Sequence, residues 1–204
     1  MHSLNKVVIF NELKFIVNEK VYKPAEDSFL FAENLEVNLD ERVLDMGTGC
    51  GLLGILAAEK SKEVVAVDIN PHALYCAKKN AELNNVKNRV SFIQGDLFNP
   101  IKETILFDLI LFNAPYLPVN KKTSISWIER AWAGGPDGRS VIDPFISRAI
   151  KHLSKTGRLL LLQSSLSDVN KTLFRFGENK MTAKIIAEIS VPFFENIKLI
   201  EAKY

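Results

Sequence analysis

Residues 112–118, Phe-Asn-Ala-Pro-Tyr-Leu-Pro, bring an amide side chain, a backbone carbonyl and an aromatic ring to one corner of the chain. An apolar run precedes them, and Pro115 ends such a strand because proline lacks a backbone donor. A planar nitrogen, in an amide or an aromatic amine, is a poor nucleophile because its lone pair is delocalised. The Asn113 side-chain oxygen and the Ala114 carbonyl could accept both of its N–H bonds, while Tyr116 could stack on the planar group. The candidate catalytic residues are therefore Asn113, Ala114, Pro115 and Tyr116.

A glycine-rich loop, Asp-Met-Gly-Thr-Gly-Cys-Gly, covers residues 45–51 and follows a short apolar strand. Glycines there let the backbone approach a ligand closely. Ligands of open α/β sheets bind at the carboxyl ends of the strands. Residues 49–54 also match the GxGxxG pattern of dinucleotide binding, so the glycines alone do not identify the cofactor.

Carboxylates at the ends of three successive strands favour one cofactor over the other. Asp45 precedes the glycines, where it would repel a pyrophosphate but suit the ammonium group of S-adenosyl-L-methionine. Asp68 can accept hydrogen bonds from both hydroxyls of an adenosine ribose in either cofactor. Asp96 can accept a hydrogen bond from an adenine amino group. We therefore expect S-adenosylmethionine as the cofactor, with dinucleotide oxidoreduction as a distant alternative.

The elements that must position these residues alternate between strand and helix patterns from Leu39 onward. Near-continuous apolar strands separated by helices predict a parallel sheet that is covered on both faces. The last two strands, residues 183–190 and 197–204, have a short connection, which requires an antiparallel pair. We predict an α/β fold with a Rossmann-like, doubly wound, mostly parallel seven-stranded sheet and an antiparallel hairpin at one edge.

Composition excludes several classes of protein. The 204 residues are 47% hydrophobic and 25% charged, which is typical of a soluble globular domain, and the net charge of +2 is too small to indicate nucleic-acid binding. Cys50 and Cys76 form no CxxC pair and the three histidines have no ligand spacing, so we expect no metal site. Without a long apolar run or a signal peptide, the expected location is cytoplasmic.

The order of the elements and the donor-site motifs resemble those of class I S-adenosylmethionine-dependent methyltransferases. The corner at Asn113 is similar to the Asn-Pro-Pro-Tyr motif of amino-methyltransferases, which act on adenine N6, on guanine N2 or on the glutamine amide of release factors. This chain has Ala114 where that family usually has proline. The carbonyl is kept, while the φ restriction of proline is lost.

Three stretches, residues 21–28, 113–118 and 129–139, together resemble the eukaryotic and archaeal, Mtq2-like branch of the HemK-like protein-glutamine methyltransferases. The resemblance implies N5-methylation of the glutamine in the Gly-Gly-Gln loop of a class I release factor. It also implies a small zinc-binding, Trm112-like activator as a partner. The cofactor site that the motifs and the resemblance together give comprises Ser28, Asp45, Gly47, Gly49, Asp68, Asp96 and Asn113.

The expected organisation has two parts. Residues 7–22 favour a short hairpin and residues 25–36 a helix, so we predict an N-terminal extension, residues 1–38, packed on the core. Residues 39–204 would form the S-adenosylmethionine-dependent methyltransferase domain as one compact unit. Within it, the long loop 119–139 carries two tryptophans and a glycine cluster and suits a substrate-covering role. Its Lys121-Lys122 pair is either a solvated charge pair or a dock for an acidic partner.

Two other functions remain as alternatives. An RNA or DNA amino-methyltransferase acting on adenine N6 or guanine N2 would use the same corner chemistry, but the chain has no additional domain to grip a duplex or flip a base. A non-catalytic scaffold that binds S-adenosylmethionine is the remote alternative, supported only by the alanine at position 114.

Overall fold

The computed structural model describes residues 6–120, 126–192 and 195–204, which form a two-stranded hairpin and a seven-stranded sheet with helices on both faces. The strands are β1 (Lys6–Phe10), β2 (Leu13–Val17), β3 (Arg42–Met46), β4 (Glu63–Asp68), β5 (Val90–Gln94), β6 (Phe107–Asn113), β7 (Leu153–Ser164), β8 (Thr182–Val191) and β9 (Glu195–Lys203). The helices are α1 (Glu26–Glu33), α2 (Leu52–Ala58), α3 (Pro71–Leu83), α4 (Trp127–Arg130), α5 (Ile142–Ala149) and α6 (Val169–Glu178).

The strand order of the large sheet is β5-β4-β3-β6-β7-β9-β8. Strands β3 to β7 pair in parallel, and β9 is antiparallel to both β7 and β8. The predicted seven-stranded, mostly parallel sheet with an antiparallel edge hairpin is therefore confirmed. The chain order reverses at β3, which lies between β4 and β6, and such a switch point opens a crevice at the carboxyl ends of the strands.

Apolar residues line both faces of the central strands, as a doubly covered sheet requires. Val43, Leu109 and Leu160 belong to a core cluster with the helices α1, α2 and α3. Their neighbours in sequence, including Leu44 and Leu161, belong to a second cluster with α5 and α6. Since successive side chains of a strand point to opposite faces, most residues of the central strands are buried on one face or the other.

Local signals fix several boundaries. The sequence Asn70-Pro71 predicts the start of a helix, and α3 begins there: the Asn70 side chain accepts a hydrogen bond from the His72 amide and Pro71 occupies the first position. The sequence pattern also predicts a helix over residues 140–153, but α5 ends earlier, at Ala149, and is followed by a 3₁₀ turn.

The apolar run at residues 159–162 predicts a strand over residues 157–164, but β7 begins at Leu153, because Leu153 pairs with Phe107 and both side chains are buried. The register then shifts before Leu109, so the residues around Gly157 form an irregularity within the strand. A register shift of this kind follows from pairing between distant strands, which local sequence patterns do not report.

The hairpin docks on α3 through two asparagines that lie one helical turn apart. Asn84 accepts a hydrogen bond from the Lys14 amide at 3.1 Å and donates to the Lys14 carbonyl at 2.9 Å. Asn80 does the same for Ile16, at 2.9 and 3.0 Å, and its Nδ2 also donates to the Cys50 carbonyl at 2.9 Å. The backbone N–H and C=O groups on the open edge of β2 therefore bond to side chains, at the position where another strand would otherwise pair.

The predicted division at residue 38 stays a prediction. Within the described part of the chain, no helix has the length and apolar character that crossing a membrane requires.

Candidate active site

A cavity of about 620 Å³ opens at the carboxyl ends of β3, β4, β5 and β6, between α1 and the loop that follows β6. Its size is that of a site for a small-molecule ligand. Every residue that the sequence assigned to the donor site or the catalytic corner lines it: Ser28, Asp45, Gly47, Gly49, Asp68, Asp96, Asn113, Ala114, Pro115 and Tyr116. The structure brings these residues together, and the individual role of each one stays a prediction.

The glycine loop is held against β4 and leaves open space in front of its backbone. Gly47 and Thr48 donate their amides to the Val67 carbonyl at 2.8 and 3.1 Å. Gly49 has φ +57°, which glycine adopts at little cost, and a Cβ there would meet only a backbone oxygen at 3.9 Å. By contrast, a Cβ at Gly54 would lie 2.7 Å from Asp45 Oδ2, so the first turn of α2 can pack this close to Asp45 only with glycine at position 54.

Asp45 lies at the bottom of the cavity and is 1% exposed. Its Oδ2 accepts hydrogen bonds from Thr48 Oγ1 at 2.6 Å and from the Gly54 amide at 2.9 Å. Burial nevertheless raises the pKa of Asp45 to about 7, since these two bonds offset only part of the lost hydration. No donor to Oδ1 is found among the residues the structure describes, so this oxygen can receive a cationic group of a ligand.

Asp68 organises the turn after β4 as well as lining the cavity. Its Oδ2 accepts the Gly49 amide at 2.9 Å and its Oδ1 accepts the Asn70 amide at 2.8 Å. Burial raises the pKa of the Asp68 carboxyl above its ordinary value. Each oxygen retains a further acceptor site, so the carboxylate can still take hydrogen bonds from ligand hydroxyls.

Asp96 lies just after β5 and is exposed. Two apolar residues next to Asp68 and Asp96 were not among the predicted site residues. Ile69 directly follows Asp68, and Leu97 directly follows Asp96 with a φ of 48°. Both line the cavity and supply apolar surface suited to a flat ring system. Their position next to a predicted ligand-binding carboxylate is the signal that would have found them.

The predicted catalytic corner, residues 113–116, is held by the sheet on one side and by aromatic packing on the other. Asn113 is the last residue of β6 and pairs with Leu162 of β7. The Ala114 amide donates to the Leu162 carbonyl at 3.3 Å, and Ala114 is buried. Just before the corner, the Phe112 ring packs on Phe145 with centroids 4.3 Å apart. The corner therefore sits on the rigid end of a central strand.

Asp27, on α1, is a polar residue of the cavity lining that was not among the predicted site residues. Its carboxylate accepts five hydrogen bonds and is 7% exposed. Oδ2 accepts Asn113 Nδ2 at 3.0 Å and the Tyr116 hydroxyl at 3.5 Å. Oδ1 accepts the Tyr22 hydroxyl at 3.0 Å and the amide and hydroxyl of Ser28 at 2.6 and 3.1 Å.

Ser28, expected at the donor site, also takes part in this network, since its hydroxyl oxygen lies 3.4 Å from Asn113 Nδ2. Burial raises the pKa of the Tyr22 and Tyr116 hydroxyls, and the Asp27 carboxylate raises both further. The two tyrosines therefore remain protonated and act as donors. The only local signal for Asp27 was its place beside Ser28 in the stretch 21–28.

The structure describes residues 119–120 and 126–139 of the covering loop, and this part packs against the corner. Leu117, just before it, donates its amide to the Trp132 carbonyl at 2.9 Å and accepts the Gly134 amide at 2.8 Å. Trp127, Arg130 and Trp132 line the cavity, with the Arg130 guanidinium 5.5 Å from the Trp127 ring centroid. The loop contains the short helix α4, which was not predicted although a Ser-x-x-Glu capping box marks its start at Ser126.

The predicted role of Lys121-Lys122 lies outside the described residues.

Arg139 anchors the end of the covering loop. It is 2% exposed, and its guanidinium donates to the carbonyls of Ser167 and Asp168, to Thr172 Oγ1 and to Asp143 Oδ1. Burial alone would raise the pKa of Asp143, but hydrogen bonds from Arg139 and its neighbour Arg175 lower it to about 2. The loop is therefore tied to both α5 and α6.

Within the described ranges, no group of three or more His, Cys, Asp or Glu side chains could hold a metal ion.

Comparisons with known proteins identify the family of the chain. The family model described as the methyltransferase small domain matches residues 21–185. A Methanocaldococcus jannaschii protein, whose proposed activity is protein N5-glutamine methylation, is 41% identical over 191 residues, covering 93% of this chain and 95% of its own. The mouse Methyltransferase HEMK2 is 32% identical over 177 residues, covering 80% of this chain and 82% of its own.

A solved structure is similar over nearly the same extent. A chain of the E. cuniculi Mtq2–Trm112 complex, responsible for methylation of the eRF1 translation termination factor, superposes with a TM-score of 0.69 at 25% identity. The alignment covers 90% of this chain and 98% of that one. The resemblance recognised in the sequence is confirmed by these matches.

Proposed function

Because this chain belongs to the methyltransferase small domain family, we propose that it methylates the N5 nitrogen of a protein glutamine, with S-adenosylmethionine as the methyl donor. The observation that carries the proposal is the Asn113 amide, whose nitrogen donates to Asp27 and Ser28 while the residue lines the cavity. Its oxygen is then the group offered to a substrate N–H.

The residues at the strand ends fit S-adenosylmethionine. Asp45 would hold the ammonium group, Asp68 the ribose hydroxyls and Asp96 the adenine amino group. The cavity of about 620 Å³ has room for this ligand together with a side chain of the substrate. When bound, S-adenosylmethionine would supply an electrophilic methyl group on sulfur.

The corner would prepare the glutamine nitrogen. Asn113 Oδ1 and the Ala114 carbonyl accept its two N–H bonds, which orients the nitrogen and favours electron density on it. Tyr116 stacks on the amide plane. No strong base is required before transfer, because the nitrogen becomes acidic only as it gains the methyl group and can then release its proton to water.

As substrate we propose the glutamine of the Gly-Gly-Gln loop of a class I release factor. The Mtq2-like resemblance of residues 21–28, 113–118 and 129–139 supports it, together with the eRF1 activity of the E. cuniculi complex. A Trm112-like zinc-binding activator is the proposed partner on the same grounds. A substrate of the translation machinery would place the enzyme in the cytoplasm.

The direct test is methyl transfer from labelled S-adenosylmethionine to the class I release factor of the same organism, with and without the activator. The control is the same factor with its Gly-Gly-Gln glutamine replaced by asparagine. We expect label in the native factor and none in the control. Label in neither factor, while cofactor binding is intact, would overturn the proposed substrate, and structured RNAs would be tested next.

A further inference from the structure

We infer that Asp27 is a positioning residue for the proposed reaction: through its hydrogen bond to Asn113 it fixes which end of that amide faces the substrate. The inference rests on the proposed function for its catalytic meaning, while the orientation itself can be tested without any substrate. Asp27 lies on α1, which is separate in sequence from both the glycine loop and the catalytic corner.

The charge of Asp27 decides the orientation of the Asn113 amide. Asparagine has a donor end and an acceptor end of almost the same shape. In the observed orientation Nδ2 lies 3.0 Å from Asp27 Oδ2 and 3.4 Å from Ser28 Oγ, so both neighbours act as acceptors. A flipped amide would place its oxygen against the carboxylate, at the cost of a charge-assisted hydrogen bond and with a repulsion in its place.

Asp27 is itself held in place, so it can act as a fixed reference. Tyr22 and both the amide and hydroxyl of Ser28 donate to Oδ1, which leaves Oδ2 for Asn113 and Tyr116. Asp27 lies in the first turn of α1, where a negative charge is favoured by the helix dipole. The Ser28 hydroxyl donates to Asp27 while its oxygen faces Asn113, so every member of the network has a consistent role.

The same contact would strengthen Asn113 as an acceptor during the reaction. A carboxylate next to the amide nitrogen polarises the amide and increases the negative partial charge on its oxygen. The substrate N–H becomes more acidic as its nitrogen gains a bond to carbon. The hydrogen bond to Asn113 therefore gains strength in the transition state, and loss of Asp27 should lower kcat more than it raises KM.

The activity test compares Asp27→Asn and Asp27→Ala with Glu26→Gln, which removes a negative charge from the exposed neighbour on the same helix. We expect kcat to fall roughly 10- to 100-fold in both Asp27 variants, the scale of a misplaced reacting group. S-adenosylmethionine affinity should stay within about twofold, and Glu26→Gln should match the native enzyme. In an Asn113→Ala background, Asp27→Ala should cost little more, because it acts through the missing side chain. Independent, multiplicative losses would overturn the inference.

The second test needs no substrate. The side-chain amide signal of Asn113 in a ¹H–¹⁵N spectrum is assigned by its loss in Asn113→Ala. We expect this signal to shift and its hydrogens to exchange faster in Asp27→Asn, with no change in Glu26→Gln. An Asn113 signal that Asp27→Asn leaves unchanged would overturn the inference whatever the activity. If the native protein methylates no glutamine but the signal responds, the proposed function fails and the orientation stands.

Discussion

Asn113 is the residue on which the proposed chemistry depends most directly. We expect Asn113→Ala to lower methyl transfer by about 10²-fold or more, since it removes one positioned acceptor. S-adenosylmethionine affinity should change little, because the three carboxylates at the strand ends are unaffected. Labelled transfer and calorimetric titration measure the two quantities. Asn179→Ala, at the end of α6, is the control, since the Asn179 side chain donates only within its own helix. Turnover near the native value in Asn113→Ala would contradict the assigned role.

Asp45 makes cofactor affinity depend on pH. Its pKa is raised to about 7 in the free protein by burial, so below pH 7 the carboxyl is mostly protonated. A bound ammonium favours the ionised form, so binding must expel a proton at low pH. We expect the affinity for S-adenosylmethionine to fall as the pH drops from about 7.5 to 5.5, approaching about tenfold per unit at the acid end.

Calorimetry in buffers of different ionisation enthalpy would count the expelled proton. Asp45→Asn should bind more weakly at neutral pH and show a flat profile over the same range. A native profile that is equally flat would show that Asp45 does not meet the cationic group of the cofactor.

At the residue scale, the sequence predicts those site residues that follow strands. Asp45, Asp68 and Asp96 stand at strand ends, and parallel strands bring such ends to one edge. Asp27 could not be found in the same way, since it reaches Asn113 across a separation of 86 residues. Their contact depends on how α1 docks, which no local pattern describes.

The covering loop depends on one buried guanidinium. We expect Arg139→Met to lower the free energy of unfolding by roughly 2 to 5 kcal/mol, because it removes the buried hydrogen bonds to the Ser167 and Asp168 carbonyls together with the ion pair to Asp143. Urea denaturation provides the measurement. Arg148→Met is the matched control, since the Arg148 hydrogen bond to Asn99 is exposed, and it should cost less than about 1 kcal/mol. Equal losses in the two variants would argue against Arg139 as the anchor.

At the scale of elements, the sequence predicts the features that have strong local signals, but it does not predict which distant strands pair. Asn70 and Pro71 fixed the start of α3, and the short connection fixed the antiparallel pairing of β8 with β9. The insertion of β9 between β7 and β8 was not predicted, because periodicity shows that a strand is buried and not which strand it joins. The four-residue helix α4 was too short for any periodicity to show.

For the molecule as a whole, burial of the Asp45 carboxyl lowers the free energy of unfolding at neutral pH. The folded pKa of Asp45 is about 7 and its ordinary value is 3.8, so between these pH values the unfolded chain releases the proton first. The free energy of unfolding therefore loses a contribution as pH rises from about 4 to 7, and the loss is complete above 7.

Asp45→Asn should remove this penalty. We expect the variant to gain stability relative to the native protein as the pH is raised from 4 to 8, although it binds the cofactor less well. Urea denaturation at pH 4, 6 and 8 provides the comparison. A difference between the two proteins that stays constant with pH would contradict the assignment of the penalty to Asp45.

Asn80 of α3 and Asn84, which caps the end of that helix, control how the N-terminal hairpin separates from the helix. The amide hydrogens of Lys14 and Ile16 are held by Asn84 and Asn80, so they exchange with solvent only when the hairpin leaves the helix. Asn80 also holds the Cys50 carbonyl of the glycine loop. Undocking of the hairpin and loosening of the glycine loop therefore both require Asn80 to lose a hydrogen bond. A bound cofactor should slow exchange at the Ile16 amide, although Ile16 does not line the cavity.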